Sequence, residues 1–283
     1  MKLLIIGSSV LDKIVHGDKI SEAAGGIYHS ISKILMLRDK NDLIGLCTQT
    51  DKKTFYLFDA VYNNCDKKYF NEVTEIPHVK LEEANSGYRN ETYYSKAEPL
   101  NLIGIDFSNY DGILINMITG YELELSELSE IRKNTNALIY FDVHTLSRKS
   151  EKEGLREFCL IPHFELWAGN IDIIQVNEYE MLSLFNNNNE IEVAKKLFAA
   201  GVKIFIVTKG EKGSVVYFSD KGEISFYFVK ANGIKNVSTI GCGDYFGASF
   251  FYNYLKVNNA ILSLNFATKE VENSLLKRLN AIK

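Results

Sequence analysis

Ser238-Thr239-Ile240-Gly241-Cys242-Gly243-Asp244-Tyr245-Phe246-Gly247-Ala248-Ser249-Phe250 sets two glycines and an acid directly before an apolar, small-residue run. The run reads as a helix buried on most sides. Glycines at its start leave bare backbone N–H groups that an anion can approach closely, and the helix dipole adds potential favouring phosphate. An Asp in the first turn can accept a proton from a substrate hydroxyl, as phosphoryl transfer needs. The same residues also make a plain N-cap in a glycine turn. The stretch alone leaves both readings open.

The segments before it give the fold class. Residues 3–6, 43–46, 113–116, 138–141, 171–175 and 204–208 are short apolar runs, and helical patterns fall between several of them, including 122–134 and 190–200. Residues 54–62 read as a further helix. In residues 21–37, Ile27, Ile31, Ile34 and Leu35 share one helical face. Strands rich in Ile, Val and Leu that alternate with helices imply an α/β fold with a parallel sheet covered on both faces. Two long helices, 241–257 and 260–282, close the chain. Two stretches break the rhythm. Residues 10–15 follow the first strand almost directly. Residues 78–100 alternate like antiparallel strands around a Ser86-Gly87 turn. Together they suggest a small flap over the carboxyl ends of the strands, where ligands bind in open α/β sheets.

Composition narrows the function classes. The 283 residues are 46% hydrophobic and 24% charged, with a net charge of -4. No basic stripe stands out, so nucleic acid is not an expected partner. Cys47, Cys65, Cys159 and Cys242 lie far apart without metal-ligand spacing, which suits a reducing, cytoplasmic setting. The apolar start is interrupted by Asp12 and Lys13 and reads as a buried strand rather than a signal peptide. No stretch is long and apolar enough to span a membrane. With three prolines and no evident linker, residues 1–283 read as one domain.

Four more places could carry chemistry, each with a plain structural alternative. Thr208-Lys209-Gly210-Glu211-Lys212-Gly213 follows a buried strand; it can cradle phosphates with backbone amides or serve as a hairpin turn, and it lacks P-loop spacing. Asn177 and Glu180 stand three apart at a helix start, fit either for Mg²⁺ held through water or for a capping box. Gly25-Gly26 allows close backbone approach to a hydroxylated ligand or loosens a helix start, and Asp12 could bind the same hydroxyls or be merely solvated. Asp142-Val143-His144 follows a middle strand; its position suits a site, and the lone His144 reads as structural.

Each signal is weak alone, but their order is specific. A glycine pair after the first strand, a flap, Asp142-x-His144, Asn177-x-x-Glu180, Thr208-x-Gly210-x-x-Gly213 and Gly241-x-Gly243-Asp244 together resemble the PfkB (ribokinase-like) family of carbohydrate and nucleoside kinases over nearly the whole chain. The resemblance implies a ribokinase-like three-layer αβα sandwich with a mostly parallel central sheet and a small antiparallel β lid, its segments at about 10–20 and 78–100. It implies Asp244 as catalytic base and an anion hole from the amides of Gly241, Cys242 and Gly243. It further implies Asn177 and Glu180 organising Mg²⁺ through water, and Thr208, Gly210 and Gly213 binding ATP. Asp12, Gly25, Gly26 and Ser30 would bind the acceptor.

The implied reaction is transfer of the γ-phosphate of ATP to a hydroxyl, expected to be primary, of a sugar or sugar-like molecule, in a cytoplasmic homodimer joined through the lid. Alternatives are a nucleoside kinase, with Tyr88, Tyr93 and Tyr94 able to stack on a base, and a catalytically inactive sugar-binding regulator. Departures from the family pattern motivate the latter: Ser30 where Asn is usual, His144 for Asn and Ser238 for Asp; Ile240 for Thr departs as well, and Cys242 for Ala is a small-for-small change the loop should tolerate.

Overall fold

The structure, a computed structural model, describes residues 1–16, 19–83, 89–94, 97–150 and 156–282. The chain opens with β1 (Lys2–Ile6), β2 (Ser9–His16), β3 (Lys19–Gly26), α1 (Tyr28–Leu37), β4 (Leu43–Thr50), α2 (Asp59–Tyr62) and β5 (Asp66–Glu72). It continues through β6 (His78–Glu83), β7 (Arg89–Tyr93), β8 (Gly112–Asn116), α3 (Leu125–Lys133) and β9 (Leu138–Asp142). A short hairpin, β10 (Arg148–Ser150) and β11 (Arg156–Phe158), precedes α4 (Phe164–Ala168), β12 (Ile173–Asn177), α5 (Glu178–Phe185) and α6 (Glu190–Ala200). The last elements are β13 (Ile204–Thr208), β14 (Gly213–Asp220), β15 (Glu223–Lys230), α7 (Cys242–Val257) and α8 (Ala260–Ile282).

Among the described residues, nine strands form the main sheet in the order β15-β14-β13-β12-β9-β8-β1-β4-β5. All pairings from β13 to β5 are parallel, and β14 and β15 add antiparallel strands at one edge. Leu3 and Ile5 join the cluster beneath α1, α7 and α8, whereas Leu4 and Ile6 join the cluster under α3, α4 and α6. One fully buried strand thus serves both faces, as its unbroken apolar run requires. The result is the expected αβα sandwich.

The lid is larger than the sequence suggests. It is a four-stranded sheet, β3-β2-β6-β7, with its own small core of Val10, Val79, Leu81 and Ile118. Residues 21–26 are therefore strand, not the first turns of a helix. They pair with β2 along its length, Asp12 facing Ala23 and Val10 facing Gly25. Gly26 has a φ of +64°, and a Cβ there would sit 2.3 Å from the Ser8 carbonyl oxygen. The chain turns at this glycine from lid strand into α1. The expected Ser86-Gly87 turn and Tyr88 lie outside the described residues. Smaller differences remain: the run 171–175 becomes Ile173–Asn177, β5, β10 and β11 form where no apolar run announced a strand, and β15 forms on the apolar stretch 224–229 that the sequence reading passed over.

Candidate active site

The strand order reverses at β1, which lies between β4 and β8. A switch of this kind opens a crevice at the strands' carboxyl ends. Register sets the polar groups there in a row. Asn116 of β8 pairs with Asp142 of β9, Asp142 with Gln175 of β12, and Asn177 with Thr208 of β13. The start of α7 and the lid sheet close over this edge. Between them is a cavity lined by Asp12, His29, Glu91, Tyr93, His144 and Asp244, with apolar walls from the lid core, Gly26, Ile240 and Gly241.

Asp244 lies in the first turn of α7 and is 8% exposed. Asn116 Nδ2 donates to its Oδ1 at 2.6 Å, leaving the other carboxylate oxygen free of that contact. Gly241 caps the helix with a φ of +73°, and a Cβ on it would lie 2.5 Å from the His29 ring. The Cys242 amide donates to the Thr239 carbonyl, which tightens the turn. Gln175 Nε2 donates to the Gly243 carbonyl at 3.2 Å and to Asp142 Oδ2 at 3.0 Å, tying helix start to sheet edge. From α8, Arg278 donates to the carbonyls of Ser238 and Ile240 at 2.9 and 2.8 Å. These contacts fix the loop that starts α7.

Of the four residues expected to bind an acceptor, Asp12 and Gly26 line the cavity, whereas Gly25 and Ser30 do not. Asp12 is 6% exposed and lines the cavity. Its carboxyl is held above the ordinary range, chiefly by burial and further by Glu91 and Asp244, against the opposing pull of His29. Gly25 backs it: a Cβ there would sit 2.2 Å from the carboxylate. Ser30 is fully covered and its hydroxyl reaches the Asp244 carbonyl at 3.5 Å, so it sits behind Asp244 and does not line the cavity.

Asn177 and Glu180 form a reciprocal capping box. Asn177 Oδ1 accepts from the amides of Tyr179 and Glu180, and Glu180 Oε2 accepts from the Asn177 amide at 2.8 Å. Glu180 is nonetheless electrostatically exposed to the site. Burial raises its pKa, and it and Asp244 push Asp142 well above the usual carboxylate range, after burial itself. Like-charge repulsion among these acids is thus added to burial at Asp142, while His144 and Arg148 oppose burial at Glu180. Among the described residues no three His, Cys, Asp or Glu side chains form a group that could hold a metal ion directly.

Thr208 and Gly210 stand at the β13–β14 turn, with Thr208 Oγ1 donating to the Val176 carbonyl. Gly213 has a φ of +125°, and a Cβ would fall 2.0 Å from the Val229 carbonyl oxygen, so the β14–β15 hairpin alone explains this glycine. In the lid, Tyr93 donates to the Ile118 carbonyl and carries the Arg156 guanidinium 4.0 Å from its ring centre. Tyr94 is 60% exposed. Tyr93 lines the cavity with Arg156 over its ring, and the exposed Tyr94 does not line it.

Asn116, His29, Glu91 and Gln175 escaped the sequence reading. Asn116 and Gln175 did carry a signal, a polar residue ending a buried strand. His29 and Glu91 carried none: His29 reaches the cavity from the first turn of α1 and Glu91 from lid strand β7, placements set by long-range packing.

The chain belongs to the pfkB family of carbohydrate kinases, whose family model matches residues 125–272, more than half of it. It is 27% identical over 144 residues to the 5-dehydro-2-deoxygluconokinase of Clostridium beijerinckii, covering 49% of this chain and 40% of that one. The chain therefore matches less than half the length of that relative. Among solved structures it resembles a pyrophosphate-dependent kinase of the ribokinase family complexed with a pyrophosphate analog and myo-inositol. The TM-score is 0.77 at 17% identity over 97% of this chain and 94% of that one. It also resembles Arabidopsis thaliana ribokinase complexed with ribose and ATP, with a TM-score of 0.69 at 16% identity over 95% and 90%.

Proposed function

We propose that the protein is a phosphotransferase that moves a phosphoryl group, from ATP with Mg²⁺, onto a hydroxyl of a small sugar or polyol. The observation that carries this is Asp244: a buried acid at a helix start, anchored on one oxygen by Asn116, with a lidded cavity in front of it. The acceptor hydroxyl lies against Asp244, which takes its proton as the oxygen attacks. Asp12 and Gly26 orient the acceptor, and the amides of Gly241 and Gly243, with that of Cys242 shared with Thr239, stabilise charge on the transferring group. Mg²⁺, when bound, supplies charge neutralisation on the donor phosphates. Asn177, Glu180 and Asp142 hold its water shell.

Thr208, Gly210 and Gly213 form the donor side in this reading. Pyrophosphate is a second donor candidate, favoured by the close likeness in fold to the pyrophosphate-dependent enzyme. Pairing of two chains through the lid is supported by Ile20 and Tyr94, 63% and 60% exposed on its strands and margin. Light scattering on the full chain checks it.

The test is a release assay with ATP or pyrophosphate over a panel of sugars, polyols and nucleosides. Turnover with at least one acceptor supports the kinase. Acceptor binding without turnover from either donor would instead point to the regulatory alternative. Among the described residues no helix is long and apolar enough to cross a membrane.

A further inference from the structure

Three carboxylates line the cavity, Asp12, Glu91 and Asp244, together with two imidazoles, His29 and His144. Among the described lining residues there is no Lys or Arg. Three arginines stand against lining residues without lining the cavity: Arg148 Nη1 donates to Glu91 Oε2 at 2.7 Å, Arg156 lies 4.0 Å from the Tyr93 ring centre, and Arg278 donates to the Ile240 carbonyl. Behind the cavity stand two further acids, Asp142 and Glu180. His29 Nε2 is buried without a hydrogen-bond partner, 4.0 Å from Asp12 Oδ2. That gap is too long for a direct hydrogen bond. One hydroxyl oxygen fills it, donating to Asp12 and accepting from His29. A carboxylate or phosphate oxygen has no proton to give Asp12, and it meets Glu91 and Asp244 as like charges in a poorly solvated space.

We infer that the acceptor is a small uncharged or cationic polyol whose hydroxyl bridges His29 and Asp12, and that acceptors bearing a carboxylate or phosphate are excluded by Asp12, Glu91 and Asp244. This rests on the kinase reading above and makes His29 a specificity-determining residue. Because the His29 ring also presses against Gly241, the bridging hydroxyl is positioned relative to the loop that starts α7.

Titration calorimetry on the full chain without donor tests it with ribose, myo-inositol, glucosamine, gluconate and ribose 5-phosphate. The tightest neutral or cationic member should bind at least about tenfold more tightly than either anion, the scale of one close like-charge contact. In Glu91→Gln and in Asp12→Asn the gap should narrow. His29→Gln should raise the acceptor KM on the order of tenfold while the donor KM stays put. An anion binding as tightly as the best neutral or cationic member, or no neutral or cationic member binding, overturns the inference. A gap unchanged in both acid variants overturns its residue assignment. Binding with this preference but no turnover from either donor overturns the kinase reading alone.

Discussion

Asp244 owes its geometry to one neighbour. With Asn116 Nδ2 held on Oδ1 at 2.6 Å, the carboxylate has one oxygen anchored and one to offer. Asn116→Ala removes that anchor and leaves Asp244, the proposed base, in place. We expect kcat to fall by roughly 10- to 100-fold with the donor KM nearly unchanged, a pattern steady-state kinetics can read. Asp142 is a different case, an acid the fold holds at a cost. Its folded pKa is raised, so between the ordinary carboxylate range near 4 and that raised value the native state binds more protons than the unfolded chain. Stability contributed by the protonated form is therefore lost as pH rises through that window. Asp142→Asn should have a higher Tm than the parent at pH 7, the difference shrinking towards zero near pH 4. A pH-independent Tm difference in calorimetric scans would contradict this origin.

At the scale of elements, Gly25 and Gly26 show where the sequence was legible and where it was not. Their position after the first strand and before a helix was readable. The strand they end was not, because Glu22, Ala23 and Ala24 favour helix, and pairing with β2 overrides that local preference. Likewise β5 lies at the sheet's edge with charged residues at Asp66, Lys67 and Lys68, so no apolar run marks it. The buried strands were legible because burial on both faces demands continuous apolar sequence. Asp12, Gly26, Gly241 and Asp244, which line the cavity, were named from their order along the chain. His29 and Glu91 were not, because the packing of α1 and of lid strand β7 that brings them to the cavity leaves no periodic trace. Gly25 also carries a prediction. A Cβ there overlaps the Asp12 carboxylate at 2.2 Å. Gly25→Ala should displace Asp12 and raise the acceptor KM by about tenfold or more, with the donor KM unaffected in the same kinetic series.

Across the whole molecule, the lid is fastened to the sandwich by the β10–β11 hairpin. Arg148 holds Glu91, 57 residues earlier in sequence, and Arg156 donates to the Thr119 carbonyl while covering the Tyr93 ring. Both arginines bind β7, so the lid's position over the cavity depends on side chains outside the lid. Arg148→Met should free Glu91 and loosen that hold, raising the acceptor dissociation rate by about three- to thirtyfold in stopped-flow binding with the global fold retained. The family assignment, the switch-point cavity and the anchored acid meet in one claim: Asp244 removes the acceptor's proton. Turnover of Asp244→Ala, measured beside acceptor binding, tests it most directly. The account predicts a loss on the order of 10²–10⁴ in kcat with acceptor and donor still bound. Near wild-type turnover in that variant would contradict it.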